Sequence, residues 1–391
     1  MKLLEVTELA EGQRYSEPVF LDGDNVLVPA HIPLRKKDLD LLASLGIGAV
    51  YTDGFLIAGS APPAEAFVFN HSTEKKTEKG GAATGYSPEI IFNKLTSMVQ
   101  QLDKIFNEVA NAPAQKRNRL SLSVSIRQLW ALVSGLLVLV KAERAGCLSF
   151  ILRGMEKSYE IARRSINTAI MSIITARELK LDTHKIPEIA SGAILHDIGM
   201  LRLPRDIVYK QGKLSAEETL LIKSHTVQSY QIITKELAYS PAVAAIALQH
   251  HEHWDGSGYP HKLVGNAIDV GARIVCIADA FEAMVSEKPY RESMIAYLAM
   301  KNLVSANATQ FAPAALKAFI KVVGIYPIGS GVTLNDGRIA RVIDVQPEVP
   351  LRPRIKILAE TGAHRVENGE EIDLSNNKNL FITQALDISN F

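Results

Sequence analysis

The chain reads as mainly α: a helical bundle, with a small α+β module ahead of it and a β-rich appendix behind. Three observations lead there. Apolar residues recur at helical spacing from Ser87 to about Gly324, which is the pattern of amphipathic helices packed on one another. Short β-rich runs broken by turn residues lie on both sides of that region. The 391 residues, 47% apolar and 22% charged, amount to about two to three globular domains.

In chain order, Val19-Phe20-Leu21 and Val26-Leu27-Val28 flank an Asp/Gly/Asn turn and predict a hairpin. Residues 36–45 predict a helix that stops at Gly46, and Ala49-Val50-Tyr51 a further strand, so residues 1–69 form the α+β module. Residues 70–86 are polar and Gly-containing, the composition of a flexible linker. Ser87 then caps and Pro88 opens a helix carrying Ile90, Ile91, Leu95 and Met98. Further helices are expected at 122–141, 144–180, 187–198, 215–236, 241–251, 271–285, 291–305 and 312–323, filling a helical region over 87–325. Residues 326–391 form the appendix, with strands expected at 332–334, 340–345, 354–359 and 380–386 and a tight reversal at Asn335-Asp336-Gly337.

A net charge of +1 gives no broad cationic face for duplex nucleic acid. Cys147 and Cys276 are the only cysteines, too few for a disulfide framework or a thiolate-rich zinc site. The N-terminus lacks a basic-then-apolar leader. The most apolar window, 129–140, falls short of the ~20 residues of a membrane span and is expected to be a buried helix. A cytoplasmic soluble protein without a membrane span is the expectation.

Chemistry concentrates in one stretch. Seven of the ten histidines (His184, His196, His225, His250, His251, His253 and His261) lie between 184 and 261. His196-Asp197, His225, His250-His251 and then Asp279 each sit in or at the end of a predicted helix, so a bundle can aim all of them at one interior point. His184 is expected at the surface, and His253 and His261 to be solvated or to flank the site. Imidazole and carboxylate without thiolate suit iron, manganese, nickel or zinc, and a carboxylate can bridge two cations. Two metals roughly 3.5–4 Å apart activate a water and clamp a phosphoryl group in flight.

Residues 250–260 read HHEHWDGSGYP. With HDIG at 196–199 and IADAFEAM at 277–284, this block resembles the HD-GYP family, a branch of the HD phosphohydrolase superfamily. The resemblance spans about 150–325, and PIGSGVTLNDG at 327–337 looks like the segment that often follows such a domain. It implies an HD-type helical bundle. It also implies a phosphodiesterase that hydrolyses cyclic di-GMP to pGpG and/or GMP through a hydroxide bridging two divalent transition metals, Fe or Mn. Carried over by position, His196, Asp197, His225, His250, His251 and Asp279 are metal ligands, Asp197 being the bridge; Glu160 is a further candidate ligand. Asp197 and Glu282 are the candidate catalytic carboxylates. Arg291, Lys288, Tyr259 and Arg164 are the candidate substrate contacts, with Gly256-Ser257-Gly258 turning the loop.

Four positions depart from the family pattern. Arg164 stands where a histidine is expected four residues after Glu160, and a guanidinium has no lone pair for a metal, so a third metal is not expected. Met200 replaces the lysine after HDIG, which removes a charge from the phosphate; Arg164 and Arg202 are the candidates to supply it. Glu282 replaces an aspartate and Lys288 an arginine. Two readings therefore stand side by side: a two-metal hydrolase of cyclic di-GMP, and a weak or inactive domain acting as a cyclic di-GMP receptor or interaction module. A phosphohydrolase of another nucleotide is a third. A homodimer through the helices at 122–180 and a GGDEF-type partner at the GYP loop complete the expected partners.

Overall fold

The computed structural model describes residues 2–20, 26–28, 30–36, 38–39, 42, 49–57, 86–117, 121–153, 160–286, 294–305, 309–361, 364–366, 369–386 and 388. It divides into two compact units, Met1–Ala83 and Thr84–Phe391. In the first, strands β1 (Lys2–Glu5), β2 (Val19–Phe20), β3 (Val26–Val28) and β4 (Ala49–Thr52) form an antiparallel sheet in the order β1-β4-β2-β3. The expected hairpin pairs Val19 with Val28. Strand β1, which sequence patterning did not single out, sets Leu4 opposite Val50, and both side chains are buried in a small core with Leu9, Val19, Leu34 and Leu42. Much of the helix expected at 36–45 and the linker up to residue 85 lie outside the described residues.

The second unit begins with α1 (Pro88–Asn111), where the Ser87 hydroxyl accepts the Ile90 N–H. Ile91, Leu95, Val99, Leu102, Phe106 and Val109 line its buried face. Helix α2 (Ser123–Ala142) is 20 residues, longer than the apolar window on which it was recognised. It is the one helix among the described residues long and apolar enough to cross a membrane by length and composition. Leu129, Leu132, Val133, Leu136 and Val140 bury its inner face in the bundle.

The single helix expected over 144–180 is two: α3 (Arg144–Leu152) and α4 (Glu160–Glu178). Arg153 turns extended just before Gly154, and glycine is a poor helix former. Helix α4 is central: residues 165–176 are buried without a break, and it packs on α1, on α5 (Lys185–Leu195) and on the two helices that close the bundle below. A short α6 (Arg205–Val208) follows. The helix expected at 215–236 is divided into α7 (Ala216–Lys223) and α8 (His225–Gln231), with a π-helical turn over Ile232–Glu236. Then come α9 (Pro241–Gln249), α10 (Val270–Val285), α11 (Ala296–Ser305) and α12 (Pro313–Val323).

Strands β5 (Gly331–Leu334), β6 (Ile339–Asp344), β7 (Arg354–Glu360), β8 (His364–Arg365), β9 (Glu371–Asp373) and β10 (Ile382–Leu386) close the chain. Their order is β10-β5-β6-β7-β8, with β9 also on β7. Gly337, at φ +86°, makes the reversal between β5 and β6. Val332, Leu334, Val342, Ile355 and Ile357 share one continuous core with the helices. The β-rich end is built onto the bundle.

Candidate metal centre

The histidines arrive at helix ends, where a side chain can leave the helical face and the backbone has room to turn. His196 closes α5, and Asp197 (φ −101°, ψ 9°) has already left the helix. Gly199 lets that turn lie against the start of α8: a Cβ there would sit 2.7 Å from the Ser229 backbone nitrogen and closer still to the His225 carbonyl. The Ser229 hydroxyl accepts the Gly199 N–H at 2.9 Å and donates to the His196 carbonyl at 2.8 Å. His225 opens α8, His250 closes α9, His251 follows it, and Asp279 lies on the inner face of α10.

The rings are aimed by the backbone. Nδ1 of His196, His225 and His250 donates to the carbonyls of Ala193 (2.7 Å), Ile222 (2.6 Å) and Ala247 (2.8 Å). In the neutral ring this leaves each Nε2 lone pair facing inward, the arrangement metal-binding histidines use. Nε2 of His225 is 3.3 Å and that of His250 3.8 Å from Asp197 Oδ1. Nε2 of His196 is 3.2 Å from Asp197 Oδ2 and 3.5 Å from Asp279 Oδ1, is buried, and makes no hydrogen bond. Two donor groups result: Asp197, His225, His250 and His251, and beside them His196, His250 and Asp279, with ligand atoms in each within 4.8 Å of one another. Asp197 presents one oxygen toward each group.

Electrostatics fit a cation. Burial alone would lower His196, but Asp197, and Asp279 with it, push it up to about 10. Burial works against both carboxyls as anions, yet His196 and Arg164 hold Asp197 and Asp279 well below the usual carboxylate range. Burial brings His251 down to about 4 and also lowers His250. A buried imidazole kept neutral beside an ionised carboxylate is a ready ligand. The donor set, all imidazole and carboxylate, suits a divalent transition metal.

Arg164, expected as a substrate contact, has a mostly buried side chain. It lies among the carboxylates: Nη2 is 3.1 Å from Asp279 Oδ1, Nε 3.3 Å from Glu282 Oε2 and Nη1 3.6 Å from Asp197 Oδ2. Glu282, fully buried, also accepts from Asn167 Nδ2 (3.2 Å) and the Ser286 hydroxyl (2.6 Å). Each of its oxygens is engaged in holding other side chains. Glu160, one turn before Arg164, joins neither donor group and acts on the site through its charge on Arg164. Arg202, expected as a possible phosphate contact, is committed elsewhere, to Glu236 at 2.9 Å and the Val109 carbonyl at 2.8 Å. Lys288 and Arg291 lie outside the described residues.

The Tyr259 ring stacks obliquely on His251, centroids 4.8 Å apart, with the Lys223 ammonium 5.0 Å above it. Gly258 is pressed against the backbone of residues 251–253, where a Cβ would sit 2.6 Å from Glu252 Cα. The Glu252 carboxylate, buried, accepts the N–H groups of His261 (2.6 Å) and Leu263 (3.0 Å) and so fastens the loop. Glu252, Ser229, Asn167 and Ser286 were not foreseen. Asn167 carried a faint signal, three residues after Arg164 on the same helical face.

Comparison with known proteins agrees with this geometry. Residues 154–314 match the HD domain family, and residues 331–391 match a KOW domain associated with the HD domain. A cyclic di-GMP phosphodiesterase of Pseudomonas aeruginosa is 33% identical over 49% of this chain and 46% of its own length. One of Borreliella burgdorferi is 31% identical over 54% of this chain and 53% of its own. A 3'3'-cGAMP-specific phosphodiesterase of Vibrio cholerae is 41% identical over 30% of this chain and 27% of its own. The chain thus spans about half, or less, of the length of these relatives.

Proposed function

We propose, from the match of residues 154–314 to the HD domain family and from the relatives above, that the chain is an HD-GYP-type, metal-dependent phosphodiesterase of cyclic di-GMP, yielding pGpG and/or GMP. One observation carries the reading: six side chains from four places in the fold, His196, Asp197, His225, His250, His251 and Asp279, bring imidazole nitrogens and carboxylate oxygens into two adjoining groups. Asp197 Oδ1, His225, His250 and His251 would hold one cation, and His196, Asp279 and Asp197 Oδ2 the other. Two divalent cations there, Fe or Mn, supply an acidified water and positive charge for the phosphodiester. The residues of the chain do the rest. Backbone carbonyls fix the rings of His196, His225 and His250, Asp197 would bridge the cations, and Glu282, itself held by Asn167, steadies Arg164. Tyr259, its phenol kept protonated by burial and by the Asp197 and Asp279 charges, offers a flat face and a donor at the rim. Arg291 and Lys288 are the proposed phosphate contacts. A homodimer and a GGDEF-type partner at the loop of residues 250–260 belong to the same proposal.

A receptor role is the second reading. It is favoured by Arg164 lying among the carboxylates and by the uncharged Met200 beside Asp197. One preparation separates the two. The purified chain is incubated anaerobically with cyclic di-GMP and Mn²⁺ or Fe²⁺, with 3'3'-cGAMP in parallel. Release of pGpG that Asp197→Ala abolishes is the expected result, and Arg164→His with Met200→Lys should raise the rate. Cyclic di-GMP bound but left intact overturns the hydrolase. Turnover of 3'3'-cGAMP alone moves the substrate.

A further inference from the structure

The two donor groups are not equivalent, and Arg164 makes them so. Its guanidinium approaches Asp279 Oδ1 at 3.1 Å, the same oxygen that stands 3.5 Å from His196 Nε2. Its approach to Asp197, at 3.6 Å, is to Oδ2, the oxygen that faces His196 at 3.2 Å. Both carboxylate oxygens of the His196 side are thus already shared with a permanent cation. The other side draws on Asp197 Oδ1, 3.3 Å from His225 and 3.8 Å from His250, together with His251. Glu282 holds the guanidinium through Nε at 3.3 Å, and Asn167 in turn holds Glu282 by its other oxygen at 3.2 Å.

We infer that Arg164 splits the pair into a tight site, Asp197 Oδ1 with His225, His250 and His251, and a weak site, His196 with Asp279 Oδ1 and Asp197 Oδ2, where a metal must share both carboxylate oxygens with the guanidinium. Two physical effects act in the same direction. The weak site has fewer donors, and a fixed positive charge 3.1 and 3.6 Å from its two carboxylate oxygens would oppose a divalent ion there through a medium of low effective dielectric. Three carboxylates against one guanidinium still leave two negative charges, so the weak site is weakened without being closed. Arg164 here positions and tunes. Its lack of a lone pair keeps it from being a ligand.

The inference rests on the divalent-metal part of the proposed function and is tested without reference to turnover. Chelator-stripped full-length protein is titrated with Mn²⁺ and followed by calorimetry, with metal counted per chain after desalting. Two steps are expected, with dissociation constants at least about tenfold apart, a gap of about 1.4 kcal/mol. Asp279→Asn should lose the weaker step and keep the tighter one. Arg164→Gln should tighten the weaker step at least about tenfold, and Arg164→Lys, which keeps the charge, should restore the gap. Two equal Mn²⁺ sites in the unaltered chain overturn the inference even where Arg164→Gln does not fold, as does a weaker step indifferent to that substitution. Two-step binding without hydrolysis would sink the phosphodiesterase and leave this inference standing. Hydrolysis with two equal sites would do the reverse.

Discussion

Ser229 stands where the His196-Asp197 turn meets the helix that carries His225. Its hydroxyl is buried and does two things at once, accepting from Gly199 N–H and donating to the His196 carbonyl. Ser229→Ala removes both and leaves a buried N–H with no partner, a loss of about 1–3 kcal/mol. Urea unfolding of the metal-free protein should register it as a lower midpoint at unchanged slope. An unchanged midpoint would mean that water replaces the hydroxyl. Single small polar residues such as Ser229, Asn167 and Ser286 leave no trace in a sequence, because nothing in their spacing separates them from solvated serines and asparagines. The histidines were legible for the opposite reason: titratable groups clustered at helix ends are rare without a shared task. Arg164 was recognised as out of place, but its position between Asp197, Asp279 and Glu282 follows from three-dimensional packing of α4 on α10.

At the level of elements, the loop of residues 250–265 depends on a carboxylate that does no chemistry. Glu252 is almost wholly buried beneath it and receives two backbone N–H groups, those of His261 and Leu263. Glu252→Ala should free both amides, and bonds of this charge-assisted kind contribute about 1.5–3 kcal/mol each. Hydrogen exchange should then quicken at His261 and Leu263 while the amides of α4 keep their protection; equal loss in both places would mean the whole bundle had loosened. Glu252→Gln, with one carbonyl oxygen, should lie between the two. Helix positions were largely readable from apolar spacing. Their breaks were less so, because Arg153 and Ser224 interrupt runs whose hydrophobic pattern continues across them. The two shortest strands of the second sheet, β8 and β9, lack a pattern long enough to read and exist through pairing with β7.

At the scale of the molecule, two hydrophobic cores among the described residues share no residue: one built from residues 4–50, the other from residues 91–380. All six converging side chains lie in the unit of residues 84–391, which holds the second core. Composition places a module boundary near residue 70 and sets the β-rich end apart, but it could not show that Val332, Val342 and Ile355 share burial with the helices inside the unit of residues 84–391. Alternation within a strand says which face is covered and not what covers it. Metal binds the folded site and not the unfolded chain, so it stabilises by mass action, about 2.7 kcal/mol at a hundredfold excess over the dissociation constant. A shortened chain starting at Thr84 keeps every ligand and the entire second core. Its melting temperature should therefore rise with Mn²⁺ and fall with chelator by the same increments as the heat-absorption transition of that unit in the full chain. A metal response that shrinks in the shortened chain would show that residues 1–83 help to hold the centre, and that two separate cores do not make two independent units.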